Sequence, residues 1–160
     1  EDMADMEEKT NVMRMLDQKK IPYVGHYYGD TGAISGNDAA AALGEDPDRV
    51  FKTLVTVGKS KEHYVFMVPV SGELNLKKAA RAVGEKSIEM IRSKELLPLT
   101  GYIHGGCSPI GMKKFFKTTI DVSAGNAETI FVSAGKIGYQ IEISLEDLKK
   151  VIRLQEADIV

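Results

Sequence analysis

The chain has 160 residues, of which 43% are hydrophobic and 28% charged, a composition that excludes a disordered or fibrous protein. Its longest apolar run, Tyr64 to Val70, is far short of the ~20 residues of a membrane-spanning helix, and its one cysteine can form no internal disulfide. Five negative charges sit in the first eight residues, at Glu1, Asp2, Asp5, Glu7 and Glu8. The net charge of −2 therefore conceals a small cationic excess elsewhere, which permits an anionic partner without requiring one. The expectation is an acidic N-terminal extension over residues 1–8 and a single domain over 9–160, soluble and cytoplasmic, with no secretory leader and no membrane contact.

In chain order, Val12, Met15, Leu16 and Lys19 recur at helical spacing. They predict a helix from about Thr10 to Lys20, capped by Thr10 or Asn11 and stopped by Ile21-Pro22. Tyr23–Tyr28 reads as a strand. Asn37 is the expected cap of a short alanine-rich helix, Asp38–Leu43, closed by Gly44. Val50–Val57 and His63–Val70, rich in β-branched and aromatic residues, predict a hairpin about Gly58–Glu62. Asn75 caps a helix over Leu76–Val83 that Gly84 ends, and Ser93–Leu97 predicts one helical turn cut off by Pro98. Gly101–His104, Thr118–Val122, Thr129–Ser133 and Tyr139–Ile143 read as strands. Ser144 opens a closing helix to about Arg153. Helices and strands mix irregularly, which predicts an α+β fold with a mixed, curled, barrel-like sheet surrounded by helices.

Lys52 interrupts an otherwise apolar and β-branched strand, alternating with Phe51 and Thr53 and sharing a face with Leu54. A lysine there either snorkels to solvent at a sheet rim or stands at the mouth of a pocket, where its charge holds a phosphate or a developing oxyanion. Gly105-Gly106-Cys107-Ser108-Pro109-Ile110-Gly111 has neither the lysine of a P-loop nor a dinucleotide fingerprint. It is either a tight connector or a loop whose N–H groups converge on a ligand. Lys113, Lys114 and Lys117, interleaved with Phe115 and Phe116, form a basic flank that is either solvated or set against a phosphate backbone. Cys107 has His104 three residues before it but no acid nearby to complete an activating set, so it reads as a loop residue and not a nucleophile. His26, His63 and His104 show no metal-ligand spacing, and Ser108 and Ser133 sit in no recognisable triad.

Four motifs follow one another in this order: Phe51-Lys-Thr-Leu54, Leu74-Asn-Leu-Lys-Lys-Ala-Ala80, Gly101-Tyr-Ile-His-Gly-Gly-Cys-Ser-Pro-Ile-Gly111 and Thr129-Ile-Phe-Val-Ser-Ala-Gly135. Across about residues 9–159 the chain resembles the YbaK/EbsC family, bacterial aminoacyl-tRNA deacylases related to the editing domain of prolyl-tRNA synthetase. It is most similar to the Cys-tRNA(Pro) deacylase branch. The resemblance implies hydrolysis of mischarged Cys-tRNA(Pro), with Lys52 as the catalytic residue and with Tyr28 (Tyr27 being adjacent), Thr53, Gly105, Gly106, Ser108, Ser133 and Gly135 binding substrate. It implies that the substrate's own thiol attacks its ester, with no metal or cofactor. The implied partners are aminoacyl-tRNA and prolyl-tRNA synthetase, and not DNA. Two other expectations remain open: another substrate such as Ala-tRNA(Pro), and a non-catalytic module binding tRNA or a synthetase.

Overall fold

The computed structural model describes residues 8–160, so the expected acidic extension, apart from Glu8, lies outside the described residues. The first helix, α1 (Asn11–Gln18), begins where the Thr10 hydroxyl accepts the Met13 N–H at 3.2 Å, and it buries Val12, Met13 and Leu16. The central hairpin pairs β2 (Phe51–Gly58) with β3 (His63–Pro69) in antiparallel register. On β3, Tyr64, Phe66 and Val68 pack on one face against α3 (Leu76–Val83), while Met67 points into the main core beside Phe51, Ile120 and α1. Both faces of the strand are covered, which is why it reads as a continuous apolar run and not as an alternation.

The expected mixed strand pairing is divided between two sheets. β4 (Ile88–Met90), β2, β3, β5 (Lys117–Asp121) and β8 (Leu154–Ala157) form one, with the β3–β5 and β5–β8 pairs parallel. β1 (Val24–Tyr27), β7 (Tyr139–Ile143) and β6 (Ile130–Ser133) form the other, antiparallel throughout. A bridge from Val50 to Phe131 joins them, with the Phe131 N–H donating to the Arg49 carbonyl at 2.9 Å. The overall class is α+β with mixed strand pairing. Among the described residues no helix is long and apolar enough to cross a membrane.

Several local expectations are corrected. α2 spans Gly36–Leu43 and is capped by Ser35, whose hydroxyl accepts the Asp38 N–H at 3.1 Å, and not by Asn37. α4 (Ser93–Thr100) runs through Pro98. The N–H that proline lacks would have gone to Lys94, which is exposed, so water can serve that carbonyl, and the helix continues until Gly101 ends it with its N–H on Leu97. Residues 101–104 form no strand: the Tyr102 N–H turns back to the Thr100 hydroxyl at 3.0 Å. The closing helix, α5 (Leu145–Val151), stops two residues early, and β4 and β8 are additional strands.

Candidate functional site

A cavity of about 220 Å³ opens where β2, the end of β1, α2 and the glycine loop meet. β2 carries Phe51, Lys52 and Thr53 to its wall, and Tyr28, Gly105 and Ser133 also line it. Ile34, Ala39, Val50, Leu54 and Leu96 make the rest of the surface largely apolar. Its volume is below the ~300–1,000 Å³ of clefts that engulf drug-sized ligands, so it suits a small acyl group better than a whole nucleotide.

Lys52 holds its ammonium 3.3 Å from the carboxylate of Glu73, a residue standing in solvent. Tyr28 is 5% exposed; burial raises its phenol pKa, and the neighbouring Glu45 carboxyl adds to the effect. Tyr27 instead packs its ring on Tyr139 and reaches Asp30 with its hydroxyl. The Thr53 hydroxyl oxygen is buried with no hydrogen-bond partner. Cys107 also lines the cavity, but burial pushes its thiol up to about 12, so it stays protonated at neutral pH and is a poor nucleophile.

Three residues expected at the site do not line the cavity. Ser108 is fully buried, and its hydroxyl accepts the Ile110 N–H at 3.2 Å. Gly135, at φ 93°, is wedged between Tyr102 and Val12, and its N–H donates to the Ser133 hydroxyl at 3.1 Å. Gly106 lies against the backbone of Lys136 and Ile137, and its N–H is committed to the Ile103 carbonyl at 3.0 Å. These residues shape the loop. Only the Gly105 N–H, at φ 88°, lacks an acceptor within the described residues, so of the two glycines it alone can donate to a ligand.

Gln140 lines the cavity and was not anticipated from sequence. It sits in Tyr139-Gln-Ile-Glu-Ile143, where Tyr139, Ile141 and Ile143 enter the core and the alternate positions read as solvent-facing. Yet Gln140 is 4% exposed. The hairpin register sets it opposite Ser133 and the β1 pairing sets it opposite His26, so the only available signal was cross-strand register.

A larger depression, about 660 Å³, lies elsewhere. It carries Asp46, Asp48, Glu128 and Glu142 against one cation, Arg49, which is already engaged by Thr129 and Glu142. That charge balance disfavours a phosphate-bearing ligand, and the smaller cavity with Lys52 is the better candidate site. The basic flank stands apart as surface: Phe115 is 65% exposed, with the Arg153 guanidinium 5.7 Å from its ring centre.

The model of the family described as "Aminoacyl-tRNA editing domain" matches residues 32–151. The chain is 45% identical over 154 residues to a protein of Enterococcus faecalis named "Putative Cys-tRNA(Pro)/Cys-tRNA(Cys) deacylase EbsC", covering 96% of this chain and 94% of that one. It is 32% identical over 103 residues to a proline–tRNA ligase of Shouchella clausii, of which it spans only 18%. Among solved structures, one titled "Crystal structure of a putative trans-editing enzyme for prolyl tRNA synthetase" superposes with a TM-score of 0.79 at 23% identity, covering 95% of this chain and 98% of that one. A second, titled a hypothetical protein, superposes at 0.85 and 20% identity over 94% and 99%. These two likenesses establish the fold.

Proposed function

Because this chain belongs to the aminoacyl-tRNA editing domain family, we propose that it is an aminoacyl-tRNA hydrolase that removes a misattached amino acid from tRNA, with Cys-tRNA(Pro) as its substrate. The observation that supports the reading is that Lys52 and Gly105, whose N–H is unengaged among the described residues, line the same small, mostly apolar cavity. The acyl group enters that cavity. The terminal adenosine stays at the mouth, beside the half-exposed Ile34.

In the proposed chemistry the substrate's cysteinyl sulfur forms a bond to its own acyl carbon. The ester C–O bond breaks, and the thiol proton passes to the departing ribose oxygen. The products are a cyclic thiolactone and a free tRNA 3′ end. Lys52 and the Gly105 N–H stabilise the negative charge that builds on the acyl oxygen, an interaction strengthened by the apolar walls. The walls also hold the acyl group so that sulfur and carbon meet. The protonated Cys107 takes no part.

Prolyl-tRNA synthetase is the proposed source of the mischarged tRNA and the partner beside which the protein acts, in a cytoplasmic setting that suits a lone reduced cysteine. The relation to a proline–tRNA ligase supports this setting. The test is the decay of a panel of purified aminoacyl-tRNAs, including Cys-tRNA(Pro) and Ala-tRNA(Pro), with and without the synthetase. Selective loss of cysteine is expected. Preference for alanine would transfer the activity to that substrate, and retention of tRNA with every ester intact would leave only a binding module.

A further inference from the structure

α2 and α3 end in the same motif. In each, a left-handed glycine (Gly44, Gly84) is followed by a glutamate (Glu45, Glu85) whose N–H reaches back to a helical carbonyl, at 2.9 Å in both. The residue in that position commonly turns an apolar side chain against the helix, so a carboxyl there is driven toward the interior. Glu85 is compensated: it receives the Ser60 N–H at 3.1 Å, the Ser60 hydroxyl, and the Tyr64 hydroxyl at 2.7 Å. Glu45 is not, and both its carboxyl oxygens are buried without a hydrogen-bond partner.

Beside Glu45 lies Gln140, whose carboxamide favours the ionised form of that carboxyl without completing a hydrogen bond of standard geometry. The Gln140 carboxamide oxygen is itself buried and unpartnered, on a side chain that lines the acyl cavity. A buried acceptor without a donor is unfavourable unless a ligand supplies one. A carboxylate behind the amide N–H groups would hold the carbonyl end toward the cavity.

We propose that Gln140 is a specificity-determining residue whose side-chain oxygen accepts a hydrogen bond from the α-ammonium group of the bound aminoacyl ester, and that Glu45 is the positioning residue that orients it. The inference deepens the deacylase reading and rests on it. It makes a free α-amine a requirement, so aminoacyl-tRNA is accepted while N-acylated or peptidyl-tRNA is rejected.

Burial raises the Glu45 carboxyl to about 7, with His26, Glu142 and Arg49 also facing it and the Tyr28 phenol nearby. Above that pH the carboxylate accepts the Gln140 N–H groups. Below it the protonated carboxyl can donate to the Gln140 oxygen and compete with the substrate.

The experiment measures kcat/KM for cysteinyl-tRNA(Pro) with its α-amine free or N-acetylated, between pH 6 and 8. Wild type should prefer the free amine by roughly 10- to 100-fold, the range for a hydrogen bond to a charged group, with the preference rising as Glu45 ionises and falling again above about pH 7.7, where the α-amine loses its proton. Gln140→Leu should bring it to within about 2-fold, and an unchanged preference overturns the proposal. Glu45→Gln should weaken the preference and flatten its pH dependence while leaving His26 in place. If Gln140→Leu does not fold, a wild-type pH slope in Glu45→Gln overturns the proposal alone.

Calorimetric binding of a non-hydrolysable cysteinyl-amide analogue of the terminal adenosine, free or N-acetylated, gives the same comparison without turnover. Amine-selective binding with no hydrolysis would end the deacylase reading and support the recognition site. Hydrolysis with equal binding of both analogues would do the reverse.

Discussion

Lys52 and Glu73 form an ion pair of 3.3 Å whose two ends are unequal: the Glu73 side chain is 89% exposed and that of Lys52 26%. A carboxylate so fully in water contributes about 0–1 kcal/mol to such a pair, so it yields readily to a substrate. Lys52→Ala should lower kcat/KM for Cys-tRNA(Pro) by roughly 100- to 1,000-fold, the cost of removing an oxyanion stabiliser, with the thermal midpoint little changed. Glu73→Ala should change it less than about threefold. Equal rates for wild type and Lys52→Ala would remove the lysine from the mechanism.

Cys107 is the second case. With its thiol pushed up to about 12 by burial, the thiolate fraction at pH 8 is minute. Alkylation by iodoacetamide should be on the order of a thousandfold slower than for an exposed cysteine, and Cys107→Ala should retain deacylation. Loss of turnover in a folded Cys107→Ala protein would revive a thiol mechanism.

The glycine loop is held against the β6–β7 turn by contact as well as by conformation. A Cβ at Gly106 would lie 3.0 Å from the Ile137 nitrogen and 3.3 Å from the Lys136 carbonyl carbon, and backbone cannot rotate away. Gly106→Ala should cost about 1–3 kcal/mol in denaturant unfolding, as overpacking does, and should reduce turnover by displacing Gly105. Gly125→Ala, where a Cβ meets nothing within 4 Å, is the control and should be near neutral.

Glu45 also predicts a pH dependence of stability. Its folded pKa of about 7 lies above the ordinary 4.5, so the folded state binds the extra proton and is progressively destabilised as pH rises from about 4.5 through 7. Glu45→Gln should therefore stabilise relative to wild type by ~1–2 kcal/mol at pH 8 and by little at pH 4.5. Glu85 has the opposite sign. Its donors lower its pKa, so its contribution is present at neutral pH and lost on acidification. Urea titrations at several pH values would separate the two, and a pH-independent difference for Glu45→Gln would mean that folding does not raise the pKa of this carboxyl.

Local signals carried much of the fold. Thr10, Asn75 and Ser144 cap helices as their short polar side chains predict, and Gly44 and Gly84 end helices in the left-handed conformation that glycine tolerates. The hairpin of β2 and β3 was legible because its β-branched and aromatic residues flank a short polar loop. Pro98 misled because propensity prices the missing hydrogen bond as if no solvent were at hand. β4 and β8 were missed because three or four residues at a sheet edge take their conformation from the strand they join.

Residue types and their spacing along the chain thus decided the elements, the α+β class and the lysine on β2. Tertiary structure alone decided that the strands divide into two sheets, that Ser108 and Gly135 do not line the cavity, that Gln140 does, and that the Glu45 carboxyl oxygens are buried. The reason is physical. Caps, turns and hydrophobic periodicity act over three or four residues. Whether a polar side chain meets water, a partner or an empty cavity depends on what another part of the chain brings beside it, and here Glu45, just after α2, comes beside Gln140 of β7, about a hundred residues further along.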